Sequence, residues 1–319
     1  MQHLMGILRK NIWSIIIAAV FILLGFLATL YRDPYYIINF VFYGFLNGSM
    51  YALGSIGFIM GITVSRFVNI FHGELIILGA YIAYWLSIFY SIDALYFTPL
   101  SAAVLFLIGV ALFMSPFGSL NERAHAEHRI GPAVIIAFGL SVLLQNLMQN
   151  LWTIDTRIIP TYGTVYNFLG VIVPESRLTS SLVAITLLVI IWAFLKFTRH
   201  GKAIRAISQD PQAAQSVGIN TKTLGTICFG LATATGGISG TLLSRVYPFN
   251  PFSGFIYLQK MGIVLLLGRL SVIGALIAGV LFGIMESYIT CFLGIYYQEM
   301  LGGILFIALI AFQQLTRGR

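Results

Sequence analysis

The chain has 319 residues, of which 59% are hydrophobic and 9% charged, with a formal net charge of +8 and a mean hydropathy of +0.93. Soluble proteins carry about 25% charged residues, so this composition excludes a soluble enzyme, a disordered chain and a disulfide scaffold. The apolar runs are long and unbroken, which excludes a β-barrel and predicts an all-α, polytopic membrane bundle.

A helix that crosses ~30 Å of hydrocarbon needs roughly twenty apolar residues. In chain order the predicted spans are 11–31, 36–62, 74–91, 97–119, 132–152, 180–197, 223–243, 258–268, 272–292 and 297–315. The first follows Arg9 and Lys10, lacks a small-x-small cleavage site and ends at Tyr31-Arg32-Asp33-Pro34, so it reads as an uncleaved helix rather than a signal peptide. The segment 258–268 is too short to cross at about 1.5 Å per residue and reads as a half-helix or re-entrant piece. The bundle then has about eight to ten transmembrane helices. Glycines concentrate in the second span (Gly44, Gly48, Gly54, Gly57, Gly61) and the seventh (Gly225, Gly230, Gly236, Gly237, Gly240). Small residues let membrane helices approach closely and permit broken helices. Their recurrence in corresponding halves hints at an inverted repeat, although no residue-level self-match accompanies it.

The basic residues sit in the short loops, where cytoplasmic Lys and Arg set orientation. With the N-terminus inside and ten crossings, thirteen fall on the inner side: Arg9, Lys10, Arg66, Arg123, Arg129, Lys196, Arg199, Lys202, Arg205, Lys222, Arg269, Arg317 and Arg319. Four fall outside: Arg32, Arg157, Arg177 and Arg245. Both termini are therefore predicted to be cytoplasmic, and the net charge is a topology signal rather than a nucleic-acid footprint.

Two loops are long enough to carry structure. The outer one, 153–179, mixes Pro160, Gly163, Gly170 and Pro174 with aromatic and β-branched residues and reads as a folded cap. In the inner one, 198–222, Asp210-Pro211 is an N-cap followed by a first-turn proline, and Gly218 is a C′ glycine. These bound one short helix with Ala213, Ala214 and Val217 on one face, suited to docking in a partner's groove.

No G-x-x-x-x-G-K-[ST] run occurs, so nucleotide binding through a P-loop is excluded. The histidines, His3, His72, His125, His128 and His200, fall in loops or near the inner surface, and none forms a metal-ligand spacing on an apolar helix. Cys228 and Cys291 lie in apolar spans without a C-x-x-C pair and read as inert packing. Of the acids, Glu286 lies well inside a span and Glu74 starts one. Neither has a basic residue in sequence reach, so Glu286 reads as an acceptor for small or hydroxyl neighbours rather than as an ion-coupling group. Glu74 complements the positive end of its own helix. The second span holds a polar kernel of Asn47, Ser49, Tyr51 and Ser55, followed by Arg66-Phe-Val-Asn69-Ile-Phe-His72-Gly73-Glu74.

The run Asn47-Gly-Ser-Met-Tyr-Ala-Leu-Gly-Ser-Ile-Gly57, then Val68-Asn-Ile-Phe-His-Gly-Glu74 and Gly79-Ala-Tyr81, resembles the permeases of branched-chain amino-acid ABC importers, of the LivH type. The inner loop is similar too, through Gly201-Lys-Ala-Ile-Arg-Ala206, Asp210, Ala213-Ala214 and Gly218-Ile-Asn220. So are Glu122-Arg123, Gly139-Leu-Ser141 with Leu144-Gln-Asn146, and Gly283-Ile-Met-Glu286. The likeness covers roughly residues 40 to 315. Two departures stand out: Leu267-Gly268-Arg269-Leu270-Ser271 replaces a Gly-Gly-x-Gly-[ST] turn, and Ile70-Phe71 precedes the His-Gly-Glu motif where the family has Phe-Ala.

The resemblance implies a type II importer-like permease in which residues 1–319 form a single transmembrane domain. It places the ATPase-coupling helix in 198–222, with Gly201, Arg205, Asp210, Ala214, Gly218 and Ile219 as coupling residues. Asn47, Ser49, Tyr51, Asn69, His72, Glu74 and Glu286 are candidates for the substrate path or its gating. It further implies a non-enzymatic subunit without its own cofactor or metal, ATP being used by partner ATPases. The other implied partners are a second homologous permease and a periplasmic or extracellular binding protein. The location would be a bacterial inner (plasma) membrane and the cargo a branched-chain or related amino acid. Open alternatives are a urea or short-amide permease of the same superfamily and an ion-coupled secondary transporter working through Glu286.

Overall fold

In lipid every backbone N–H and C=O must be bonded within the protein, so long apolar runs fold as helices. The computed structural model describes residues 35–117, 130–160, 163–168 and 170–317. Among them are eleven α-helices: α1 (Tyr35–Ser65), α2 (His72–Tyr90), α3 (Thr98–Leu112), α4 (Ile130–Trp152), α5 (Glu175–Phe197), α6 (Arg199–Gln209), α7 (Pro211–Ser216), α8 (Thr221–Ser244), α9 (Ser253–Gly268), α10 (Val272–Leu293) and α11 (Ile295–Arg317). A 3-10 turn, Ala94–Phe97, precedes α3, and a π-helical turn, Phe113–Phe117, follows it.

Seven stretches among the described residues are long and apolar enough to cross a bilayer, and they correspond to seven of the ten predicted spans. The protein is a polytopic helical membrane protein. The predicted first span, 11–31, lies outside the described residues, as do Glu122-Arg123, His125 and His128. The short piece predicted at 258–268 begins earlier, at Ser253, but its 16 residues still reach only about 24 Å. The last predicted span is α11, whose apolar part is Tyr297–Ala311.

Small residues decide which helices become neighbours. Gly44 and Gly48 on α1 interlock with Gly279 and Gly283 on α10: a Cβ on Gly48 would strike the Gly279 carbonyl, and one on Gly279 would strike the Gly48 carbonyl. On its other side α1 meets α8, Gly54 lying by Ser239, Gly57 by Thr235 and Gly61 by Ala232, so the two helices run in opposite directions. Gly79 and Gly237 bring α2 onto α8, and a Cβ on Gly240 would strike the Ile76 carbonyl. Enclosed in this way, α1 and α8 form the centre of the bundle, whereas α4 and α5 present much of their apolar surface outward, including Ile135, Phe138, Leu151, Leu182 and Val189.

At one end of the bundle the segment 153–179 folds into an antiparallel hairpin, β1 (Val165–Phe168) and β2 (Val171–Pro174), in register from Val165 opposite Pro174 to Phe168 opposite Val171. Arg245 is buried at the same end, 2.7 Å from Asp93 and bonded to the Ser180 hydroxyl at 2.8 Å and the Ser176 carbonyl at 3.2 Å. Arg157 stacks on Tyr84 and Trp85, with its backbone bridged to Phe249. Three cations that the charge pattern assigns to one side, Arg157, Arg177 and Arg245, thus converge on one end.

At the other end the 198–222 loop differs from expectation. It holds two helices, not one: α6 precedes the predicted short helix, which is α7. The apolar stripe of α6, Gly201, Ile204 and Ile207, faces the bundle while Arg199, Lys202 and Arg205 are exposed. On α7 the predicted apolar face is not buried as a unit. Ala214 is buried, but Ala213 is exposed and Val217 is 74% exposed, because six residues make too little helix to bury more than one contact point.

Candidate functional site

Helical side chains lean toward their own N-terminus. Because α1 and α10 are antiparallel, Tyr51 and Glu286 lean toward one another across the glycine seam. The Tyr51 hydroxyl donates to Glu286 Oε2 at 2.7 Å. Lys260 of α9 completes the pair, its Nζ 2.5 Å from Glu286 Oε1 and 3.4 Å from the Tyr51 oxygen. Gln298 of α11 donates to Glu286 Oε1 at 2.5 Å. Four helices therefore meet at one carboxylate, with the Lys260 and Glu286 side chains 11% and 5% exposed. A buried charge in an apolar bundle is tolerated only when paired and hydrogen-bonded, and here it is both.

A cavity of about 490 Å³ opens beside this cluster, lined by Asn47, Arg177, Tyr247, Glu286, Thr290 and Gln298 among others. Arg177, in the first turn of α5, lies over the rings of Tyr43 at 4.7 Å and Tyr247 at 5.7 Å. Burial pushes the Tyr247 phenol above its ordinary range, so it remains a neutral donor at physiological pH. Asn47 is 6% exposed, and its Oδ1 has no hydrogen-bond partner among the described residues.

At the opposite end α6 and α7 form a capped pair. The Thr198 hydroxyl accepts from the Gly201 amide at 3.0 Å, and Asp210 Oδ1 accepts from the amides of Gln212 and Ala213 at 2.9 and 3.1 Å. Gly218, at φ +84, reverses the chain, and the Ile219 amide bonds back to the Ala214 carbonyl at 3.1 Å. Arg66 ties the pair to the bundle. Its Nη2 faces the carbonyls of Ile207, Ser208 and Gln209 at 3.1–3.4 Å, where the negative end of α6 favours a cation.

A family model described as the permease component of branched-chain amino acid transport systems matches residues 40–310. The chain belongs to this family. It is 27% identical over 296 residues to the high-affinity branched-chain amino acid transport system permease protein LivH of Salmonella typhimurium, covering 86% of this chain and 93% of that one. It is 27% identical to the corresponding BraD protein of Pseudomonas aeruginosa, covering 84% and 91%. Against the nucleoside ABC transporter permease protein NupC of Lactococcus lactis it is 28% identical, covering 57% and 60%.

Within this family fold, the predicted path residues divide into three groups. Asn47 and Glu286 line the cavity, and Tyr51 stands behind it, bonded to Glu286. Ser49 instead bonds Ser181 of α5 at 2.8 Å, and Ser55 bonds the Met261 carbonyl at 2.8 Å, both as helix-to-helix ties. Asn69, His72 and Glu74 lie apart at the start of α2, where Glu74 falls in the first turn and abuts Gly254. His72 begins α2 just after the Arg66 turn, as expected of a residue near that end of the bundle, but it is enclosed there, 1% exposed and stacked on Phe58 with ring centroids 5.4 Å apart. Cys228 is buried, but Cys291 is exposed on the cavity wall rather than packed. Three residues with direct roles were not singled out. Lys260 is the basic partner Glu286 was expected to lack, Arg177 lines the cavity, and Arg66 anchors α6. A lysine inside the apolar run 253–268 was itself the signal for the first, since intramembrane cations need a partner.

Proposed function

We propose that the protein is the transmembrane permease subunit of an ATP-binding-cassette importer that moves branched-chain or related amino acids inward. The observation that carries this is the α6–α7 pair. It stands at one end of the bundle as a capped, rigid, mostly solvent-exposed element, with Val217 projecting from its tip and Arg66 tying its carbonyl end to the α1–α2 turn. Such an element transmits a push from a docked subunit to the bundle as a rigid-body displacement. Gly201 serves by close approach, since a Cβ there would strike the Phe194 carbonyl. Asp210 and Gly218 serve as the two caps, Ala214 and Ile219 as the fixed floor, and Arg205 as a contact for the partner.

In this reading the whole chain, 1–319, is one permease domain in a bacterial inner (plasma) membrane, with both termini and the α6–α7 end cytoplasmic and the 153–179 hairpin outside. It hydrolyses no ATP and carries no cofactor. The fuel comes from ATPase subunits, a second homologous permease completes the pore, and an external binding protein delivers cargo to the hairpin end. The names of the LivH and BraD relatives support amino-acid cargo.

The test is co-purification of the ATPase with the permease, wild type against Gly218→Arg, Arg205→Glu and Arg66→Ala, alongside ATP-dependent uptake in vesicles. Gly218→Arg and Arg205→Glu should lose ATPase capture while the solubilised permease keeps its melting profile. Arg66→Ala should keep capture and lose uptake. Unchanged capture by both docking variants overturns the coupling assignment, and uptake driven by a proton gradient without ATP overturns the importer reading.

A further inference from the structure

The cavity beside Glu286 has a charge pattern that selects a ligand. The Arg177 guanidinium carbon lies 4.7 Å from the centre of the Tyr43 ring and 5.7 Å from that of Tyr247, and ring contacts of this kind leave N–H donors for oxygen acceptors. Its Nε is buried with no partner, and among the described residues no carboxylate pairs with it. Lys260 neutralises Glu286, so Arg177 is the uncompensated charge on the wall. A guanidinium matches a carboxylate through two parallel hydrogen bonds.

The same cavity also offers acceptors. Asn47 Oδ1 is buried, unpartnered and on the cavity wall. A carboxylate has about four acceptor positions, and Glu286 fills three with Lys260, Gln298 and Tyr51. A group with several N–H donors, such as an ammonium, satisfies both residues. Phe40 and Pro174 add apolar walls to the same cavity. A volume of about 490 Å³ lies within the roughly 300–1,000 Å³ of small-molecule sites.

We propose that this cavity is a holding site within the permease for a free zwitterionic α-amino acid, its carboxylate on Arg177 and its ammonium between Asn47 and Glu286. The proposal rests on the importer reading and deepens it, because the permease itself, and not only a delivering protein, then selects the cargo. A neutral nucleoside leaves Arg177 unsatisfied and is disfavoured.

Cys291, exposed on the cavity wall, reports occupancy. In the full chain carrying Cys228→Ala, the rate of Cys291 modification by N-ethylmaleimide is measured without ligand and with L-leucine, 4-methylpentanoate, 3-methylbutylamine or inosine. Leucine should slow modification severalfold, 4-methylpentanoate less, and the amine and inosine not at all. Arg177→Gln should abolish the protection by leucine, Arg177→Lys should retain part of it, and Asn47→Leu should weaken leucine while leaving 4-methylpentanoate unchanged. The unliganded rate in each variant confirms an intact cavity. Protection that survives Arg177→Gln, or equal protection by the amine, overturns the proposal. So does absence of leucine protection in a chain whose assembled importer still takes up leucine, and that outcome leaves the importer reading intact. Protection by inosine, with ATP-driven nucleoside uptake, overturns the amino-acid cargo of both.

Discussion

Removing the Lys260 charge alone should cost far more than removing both members of the pair. Lys260→Met keeps length and apolar volume but strands the Glu286 carboxylate, 5% exposed, among four helices. Breaking a buried ion pair from one side costs about 3–5 kcal/mol, because the remaining charge is uncompensated. Two donors stay behind, the Tyr51 hydroxyl at 2.7 Å and the Gln298 amide at 2.5 Å. Hydrogen bonds to a charged group contribute about 1.5–3 kcal/mol each, which sets the expectation at the lower end, near 3 kcal/mol. Glu286→Gln placed on top of Lys260→Met removes the stranded charge and keeps an amide that can still meet Tyr51 and Gln298. Replacing both charges of a buried pair is close to neutral, so the double variant should recover at least about 2 kcal/mol of the loss.

The assay is equilibrium unfolding of the purified protein in mixed micelles, followed by the fluorescence of its four tryptophans, for wild type, both single variants and the double. A cost below about 1 kcal/mol for Lys260→Met, or a double variant that loses the sum of the singles, refutes the reasoning, since either result means the two groups are not coupled.

Two further predictions concern packing and backbone. Gly48→Val drives a branched side chain into the Gly279 carbonyl and should cost about 1–3 kcal/mol of overpacking in the same unfolding assay. Gly139→Ala, at a helical position with open space around it, should instead stabilise by up to ~1 kcal/mol, and equal effects at the two sites would sink the seam argument. Arg269 and Leu270 both adopt left-handed backbone, φ 53 and φ 56, at the end of α9. Arg269→Gly should therefore raise stability by about 1 kcal/mol, and a loss of stability would show that the arginine side chain holds the turn.

What could be read from the residues alone follows from which physical signals are local. Lipid demands long uninterrupted helices, so most spans were legible within a few residues, and Asp210, Pro211 and Gly218 each announce a helix end without tertiary help. Helix α6 carries its signal openly, with Gly201, Ala203, Ile204, Ala206 and Ile207 at helical spacing among Arg199, Lys202 and Arg205. What the residues alone do not show is that its last turn is held by Arg66, distant in sequence. The site is hidden in the same way. Glu286 and Lys260 are 26 positions apart on different helices, and only the interlocked glycines of α1 and α10, with α9 laid across them, bring the pair together. The departure at 267–271, by contrast, was visible in Leu270, which stands where the Gly-Gly-x-Gly-[ST] turn has a glycine, and the backbone there is the conformation glycine prefers.

The cluster around Glu286 also bears on what drives transport. An ion-coupled carrier works through a carboxylate that binds and releases its ion in each cycle, so the group must be exchangeable between partners and reachable from water. Glu286 lines the cavity, but it is paired to a resident cation at 2.5 Å and held by two further donors, so it is not free to exchange partners. Displacing Lys260 would strand two buried charges at once, which is the costly half of the exchange described above. A carboxylate held this way suits a fixed wall better than a moving carrier. Arg177 and Asn47, with open valences toward the cavity, suit a transient guest. On the proposed reading the site recognises cargo, and the work of moving it comes through the exposed pair α6–α7 at the other end of the same bundle.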